Sequence, residues 1–426
     1  MNIKRAGHKG TRAGFASAGH LPTLVASLLY FDVSFMAWVL LGPVAPFLKD
    51  DLHLSGIQQG LLTAIPLLGG SLFRPVLGFI ADRIGGRRTG LIGLTLTLVP
   101  LFVGWRYAHT IGQFYAIGFL LGIAGASFAV ALPLASRWYP PEYQGLAMGI
   151  AGAGNSGTLL ATLFAPRLAA HYGWATTFGV AMLPVALVLI VFAVLAKDSP
   201  SRPAPASLRS YGALLKESDT LWLALLYSLT FGGFVGFSSF RPTFFREQYL
   251  LSKVTAGDLT TVVVVAGSVL RPVGGWLSDR IGGYRLLVFL LTGGALCVAA
   301  VALTPPVSVA VALLFAALGL LGMGNGAVFQ LVPQRFPERM GLVTGIVGAA
   351  GGLGGFFLPT LLGATRDLTG TYSPGLLWCT GAFLAGTAVL LELGPVWSRR
   401  WTSSAVQRAG VYSYRRVLRS LAGERA

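Results

Sequence analysis

Long apolar runs recur along the chain. Twelve of them, at roughly 22–46, 57–80, 89–107, 111–136, 145–168, 174–196, 220–244, 256–277, 286–303, 307–332, 341–363 and 374–396, suit membrane crossing. A helix needs about 20 apolar residues to span a hydrocarbon core. We number these runs helices 1 to 12. Most links between them are short and carry Pro, Gly or charge. The link at 197–219 is longer, with Pro200, Pro203 and Pro205 beside Lys and Arg, and it divides the runs into two sets of six. The pattern predicts an all-α membrane protein. Its expected parts are a basic cytoplasmic tail at 1–21, a six-helix bundle at 22–196, a cytoplasmic linker at 197–219, a second six-helix bundle at 220–396 and a basic cytoplasmic tail at 397–426. The first run is too long for a signal-peptide core and has no clear small-residue cleavage site, so it counts as helix 1.

Composition agrees. Of 426 residues, 54% are hydrophobic and only 11% are charged, where a soluble domain carries about 25%. A soluble enzyme, a disordered chain and a fibrous protein are thereby excluded. Cys297 and Cys379 both lie in apolar runs, which leaves no disulfide framework and no cysteine metal site. No metal or cofactor is expected.

The formal charge of +17 would point to nucleic acid in a soluble protein, but its placement reads differently. Of 32 Lys and Arg, 23 fall in the tails and in loops after even-numbered helices. Seven fall in loops after odd-numbered helices: Lys49, Arg106, Arg167, Arg241, Arg246, Lys253 and Arg366. The positive-inside rule then puts both termini in the cytoplasm. The basic excess reports topology and no nucleic-acid partner. Tail residues such as Arg415, Arg416 and Arg419 can touch anionic lipid incidentally.

The remaining two cations, Arg74 and Arg271, lie inside apolar runs and open an internal repeat. RPVLGFIADRIGGRR from Arg74 and RPVGGWLSDRIGGYR from Arg271 match at ten of fifteen positions with an offset of 197. GLAMGIAGAG from Gly145 and GLVTGIVGAA from Gly341 match at six of ten with an offset of 196. Parallel halves of this kind form a transporter architecture with a substrate site near the midplane. Each arginine stands eight residues before an aspartate at its helix end, roughly 12 Å deep at 1.5 Å per residue. An arginine at that depth faces a cavity or a partner. One reading is a pair of structural arginines satisfied by helix-end carbonyls. The other is two guanidinium forks, one from each half, converging on a shared water-lined hollow to clamp an oxyanion.

The repeated loops, with Gly78, Asp82, Arg83 and Arg87 in one and Gly275, Asp279 and Arg280 in the other, strongly resemble the loop signature of the major facilitator superfamily. Tight glycine turns there bring charges together at helix ends, as a topology anchor or as a latch that differs between conformations. Helix 5 carries Gly149, Gly152, Gly154 and Gly157, and helix 11 carries Gly345, Gly348, Gly351 and Gly352. Small residues at these spacings let backbones approach and narrow the space between helices. Asn155 aligns with Gly351 and adds a buried amide that needs partners.

GLAMGIAGAGNSG, GLVTGIVGAAGGLGG and GNGAVFQLVPQRF, together with the two RP arginines, resemble the nitrate/nitrite porter (NarK-type) family of that superfamily. The resemblance spans all twelve helices. It implies a major facilitator fold of two pseudo-symmetric bundles in a prokaryotic inner membrane, and nitrate and nitrite as partners of a monomer in the lipid bilayer. In its terms Arg74 and Arg271 bind the anion, Tyr227 donates a hydrogen bond, and Asn155 completes the polar shell. Phe128, Phe231 and Phe35 wall and gate the pocket. For the aromatics alone, core packing is the default.

Asp32 departs from the family pattern ten residues into helix 1. It reads as a proton-coupling carboxylate, as a static partner for an intramembrane arginine, or as a group near enough to the helix end to reach water. The expected activity is secondary transport of nitrate and nitrite, by exchange or by nitrate–proton symport using Asp32. A major facilitator for another small anion such as formate is the alternative. No nucleotide loop, metal spacing or nucleophile constellation supports an enzyme.

Overall fold

The structure is a computed structural model that describes residues 15–200, 208–336 and 339–411. The outer parts of both expected tails, with Arg415, Arg416 and Arg419, and the 201–207 part of the linker lie outside the described residues. All twelve expected helices are present. Helix 1 runs over Leu21–Trp38 and Leu41–Leu52, helix 2 over Gly56–Ile84, helix 3 over Gly86–Arg106, and helix 4 over Ile111–Gly125 and Phe128–Ser136. Helix 5 comprises Pro141–Gly152, a 3-10 turn at Ala153–Ser156, and Gly157–Tyr172, and helix 6 is Trp174–Leu195. The second set is Ser218–Gln248, Lys253–Ile281, Gly283–Ala302, Val307–Arg335, Met340–Thr369 and Ser373–Arg400 for helices 7 to 12.

Among the described residues, eleven segments are long and apolar enough to cross a membrane. Helix 5 is the exception because it is broken in the middle, where Gly152, Gly154, Asn155, Ser156 and Gly157 all favour helix poorly. Helix 7 also departs from expectation. It continues past Pro242 to Gln248, so Arg241 is a buried residue within the helix and no loop charge. On helix 6, Leu183, Leu187, Ile190 and Val194 form one exposed apolar stripe, a face suited to lipid.

Both ends of the described chain return to the same end of the bundle. Phe15 stacks on Tyr139 after helix 4, and Gly410 packs against Gly282 between helices 8 and 9. Gly85 and Gly282 close the tight turns of the repeated loops with φ of 98° and 89°, a region that favours glycine.

At the opposite end the two halves are pinned together by charge. Lys49 pairs with Glu247 at 2.5 Å, Lys253 with Asp50 at 2.6 Å, and Arg167 with Asp258 at 2.6 Å. Asp367 on helix 11 accepts from the Gly56 and Ile57 amides at 2.7 Å each, capping helix 2 across the interface. Beneath them Gln59 Nε2 donates to Thr243 at 2.9 Å. The end away from the termini is therefore closed.

These contacts are partly exposed, so each contributes modestly. Replacing Asp258 and Asp367 together by Asn is expected to cost about 1 kcal/mol of closure, about a fivefold shift toward the open state. A buried reporter cysteine at Gln59 should then react about five times faster with a soluble maleimide. An unchanged rate would show that the charges do not hold this end shut.

Candidate functional site

Arg74 and Arg271 each stand ten residues from the end of their helix, Ile84 and Ile281, and so at equivalent depths. Arg74 is buried. Its surroundings follow from a local defect in helix 4. At the Ala126–Ser127 break the Ala129 amide bonds Ala126 instead of completing the α-helical bond to Gly125. The freed Gly125 carbonyl accepts from Arg74 Nε at 3.1 Å. Arg74 Nη1 donates to the Gly348 carbonyl on helix 11, a bond between the halves, and the nearby Ser71 hydroxyl donates to Ala349 at 2.5 Å. Arg271 Nη2 reaches the Tyr227 hydroxyl at 3.5 Å. Two nitrogens, Arg74 Nη2 and Arg271 Nη1, have no hydrogen-bond partner among the described residues. Backbone carbonyls thus take two of the Arg74 nitrogens, and each guanidinium keeps one nitrogen without a partner among the described residues.

Aromatic rings surround the pair. The Phe128 ring centre lies 5.5 Å from the Arg74 guanidinium carbon and 5.9 Å from that of Arg271, which bounds their separation at about 11.4 Å. Phe231 and Trp38 lie 5.1 and 5.2 Å from the Arg74 carbon, within cation–π range. Tyr227 stacks on Phe231 at 5.1 Å, and Phe35 meets Trp38 and Phe231 edge-on at 5.0 and 6.4 Å. On the side toward the termini, Phe128 stacks on Phe329 of helix 10 at 6.1 Å across the two halves. The two guanidinium groups thus share an aromatic-walled setting, the slot.

Trp38 and Phe329 escaped the reading of the sequence. Trp38 follows Phe35 by three positions, the spacing of one helix face, and donates to the Pro66 carbonyl at 2.6 Å. Phe329 lies in GNGAVFQLVPQRF, and its packing on Tyr227 at 4.7 Å marks it as part of the slot.

Asn155 is buried, but its amide serves its own backbone. Oriented so that nitrogen donates, it bonds the Gly152 and Ala153 carbonyls at 3.2 and 3.3 Å and steadies the 3-10 turn. No hydrogen bond joins it to either arginine among the described residues. Asp32 is partly buried and accepts from the Ser156 hydroxyl at 2.6 Å. Its partner is thus the break in helix 5 and not an intramembrane arginine.

The signature glycines divide into two groups. A methyl at Gly157 would collide with the Asp32 carbonyl, and one at Gly154 would come within 2.8 Å of Leu28 and Asp32 backbone atoms. A methyl at Gly351 would meet Tyr227 at 2.6 Å and Phe231 at 2.9 Å. One at Gly352 would press on Leu67 and Ser71 at 3.1 Å, and one at Gly348 would touch Phe128 at 3.4 Å. Gly149 and Gly345 have open space, and Gly152 only a 4.0 Å contact.

The repeated loops are not equivalent. Asp82 pairs with Arg137 at the end of helix 4, at 2.9 Å. Its counterpart Asp279 is exposed and has no ion-pair partner among the described residues, while Arg280 lies 3.9 Å over Trp276. Arg83 lies over Phe79 at 3.3 Å, and Arg87 donates to the Ala193 carbonyl at 2.7 Å and, through its amide, to Asp198 at 3.1 Å. Gly275 lies where helix 10 approaches at Gly326, and Gly78 makes only an ordinary contact with Ala129.

The Major Facilitator Superfamily model matches residues 27–359. A probable nitrate/nitrite transporter NarK2 of Mycobacterium tuberculosis is 40% identical over 84% of this chain and 93% of its own. The nitrite extrusion protein of Bacillus subtilis is 34% identical over 86% and 92%, and a probable nitrate/nitrite antiporter NarK1 of Thermus thermophilus 32% over 82% and 86%. Among solved structures, the partially occluded inward open conformation of the xylose transporter XylE from E. coli superposes with a TM-score of 0.72 at 15% identity. That match covers 88% of this chain and 98% of the other and shows a shared twelve-helix fold.

The glycine geometry gives a direct test. Gly157→Ala and Gly351→Ala should each destabilise the purified protein by about 1–3 kcal/mol, the usual cost of overpacking. Gly345→Ala should be neutral or slightly stabilising, since alanine favours helix. Equal thermal stability of all three variants would contradict the close packing described.

Proposed function

The chain belongs to the nitrate/nitrite porter (NarK-type) family of the major facilitator superfamily, and on that premise we propose that it carries nitrate and nitrite across a membrane by alternating access. The observation that carries the reading is the slot itself. It holds one guanidinium from each half, both beside the Phe128 ring, and a nitrogen without a partner on each fork. A planar oxyanion can accept from both forks at once, and the Tyr227 hydroxyl, which accepts from Arg271, keeps its own proton to donate. Phe128, Phe231, Phe35 and Trp38 exclude water and limit the anion's size.

Two guanidinium groups no more than about 11.4 Å apart repel by at least about 1.5 kcal/mol at an effective dielectric near 20. An anion between them reverses the sign and favours approach of the halves. A carrier that closes readily only when loaded exchanges one anion for another, here nitrate inward and nitrite outward. The basic loops and tails set both termini in the cytoplasm, so the closed far end faces outward and the slot is approached from inside past Phe128 and Phe329. In this reading the chain works as a monomer in the inner membrane.

Arg74→Lys and Arg271→Lys keep the charge but lose the fork. Each should lower nitrate counterflow in proteoliposomes by about 10–100-fold, the worth of a charge-assisted hydrogen bond. Wild-type counterflow in either variant would refute the clamp.

Exchange is tested separately. Labelled nitrate uptake should require internal nitrite or nitrate and should not follow a pH gradient alone. Gradient-driven uptake into vesicles without internal anion would instead establish symport, and its loss in Asp32→Asn would assign the coupling carboxylate.

A further inference from the structure

Trp38 does more than wall the slot. It ends the inner part of helix 1, Leu21–Trp38. The helix is interrupted there because Pro43 has no amide to give the Val39 carbonyl, and Gly42 bonds that carbonyl instead at 3.0 Å. The indole is fully buried, and its Nε1 donates to the Pro66 carbonyl of helix 2 at 2.6 Å. Two glycines make its seat. A methyl at Gly70 would lie 2.7 Å from the ring, and one at Gly125 would collide with it. The Gly125 carbonyl also accepts from Arg74 Nε. One residue thus seats the ring and holds the guanidinium beside it.

The two forks are held differently. Arg74 has three rings around it, Trp38, Phe231 and Phe128, at 5.2, 5.1 and 5.5 Å. Arg271 has Phe128 at 5.9 Å and, among the described residues, no second ring within cation–π range. Of the three rings on Arg74, Trp38 is the one pinned by its own hydrogen bond, and an indole face attracts a cation more strongly than a phenyl face. We infer that Trp38 is a positioning residue for the anion. Its ring, fixed by Pro66, Gly70 and Gly125, holds the Arg74 guanidinium in one pose, so that Nη2 is kept for the anion and not spent on a further backbone carbonyl. A fork set in advance loses less freedom when the anion arrives, which raises affinity. The inference rests on the reading of the slot as the nitrate site.

The test measures nitrate binding to the purified full chain by titration calorimetry. Trp38→Leu should weaken it about tenfold, and Trp38→Phe, which restores a ring face, by about threefold or less. In proteoliposomes Trp38→Leu should raise the half-saturating nitrate concentration and leave the maximal counterflow rate nearly unchanged, whereas a merely structural defect would lower that rate. A second readout needs no unstable variant. Nitrate quenches excited indole at close range, and Trp38 is the one of nine tryptophans whose ring, among the described residues, lies on a central guanidinium. Nitrate should therefore quench the emission of the unaltered chain with the calorimetric Kd, and Trp38→Phe should bind nitrate without that quench. Wild-type affinity in Trp38→Leu, or an equal quench in Trp38→Phe, would overturn the positioning role while leaving the slot reading in place. No calorimetric binding to the unaltered chain would refute the slot reading and this inference with it. Should Trp38→Leu fail to fold, the two emission measurements decide.

Discussion

Two charged side chains held in the middle of an apolar bundle constrain nearly everything around them. Arg74 and Arg271 cannot be hydrated from lipid, so the backbone and the aromatic rings must accommodate them. Helix 4 breaks at Ala126–Ser127 and releases the Gly125 carbonyl for Arg74. Helix 11 presents Gly348, whose missing side chain leaves its carbonyl open to Arg74 and its Cα side open to Phe128. Gly351 gives Tyr227 and Phe231 their space. The glycine-rich string on helix 11 is thus a requirement of the slot and not only of helix packing.

The duplicated halves have diverged in how they use the same loop. Asp82 is anchored to Arg137, whereas Asp279 has no such partner among the described residues. The second half instead ties its helix ends through Asp219, which accepts from Arg335 at 2.5 Å, Trp397 at 3.0 Å and Trp401 at 3.2 Å. A carboxylate with three donors is well satisfied although buried. Helix 5 has diverged similarly. Its break at Ala153–Ser156 docks on helix 1 through Ser156 and Asp32, while helix 11 is continuous from Met340 to Thr369.

Much of this was legible beforehand, for identifiable reasons. Apolar length announces a span whatever its neighbours do, and the repeat offset put Arg74 and Arg271 at matching depth. Backbone partners leave no trace in side-chain patterns, so the carbonyls of Gly125 and Gly348 were invisible. Asn155 looked like part of the slot because its alignment with Gly351 showed depth but not direction. Arg241 passed for a loop residue because Pro242 and nearby charges imitate a helix end, yet helix 7 absorbs the proline and continues to Gln248. Trp38 was indistinguishable from an ordinary core aromatic until its contact with a guanidinium was seen.

The exposed stripe on helix 6 has a consequence for how the protein sits in lipid. That helix has 22 residues, about 33 Å at helical rise, close to the roughly 30 Å hydrocarbon thickness of an ordinary bilayer. A helix of that length spans such a core with some tilt, which its packing against neighbouring helices sets. In membranes of markedly shorter or longer acyl chains the helix would have to lean or the bilayer deform. Acyl-chain length thereby becomes a physical variable acting on how the first bundle sits in lipid.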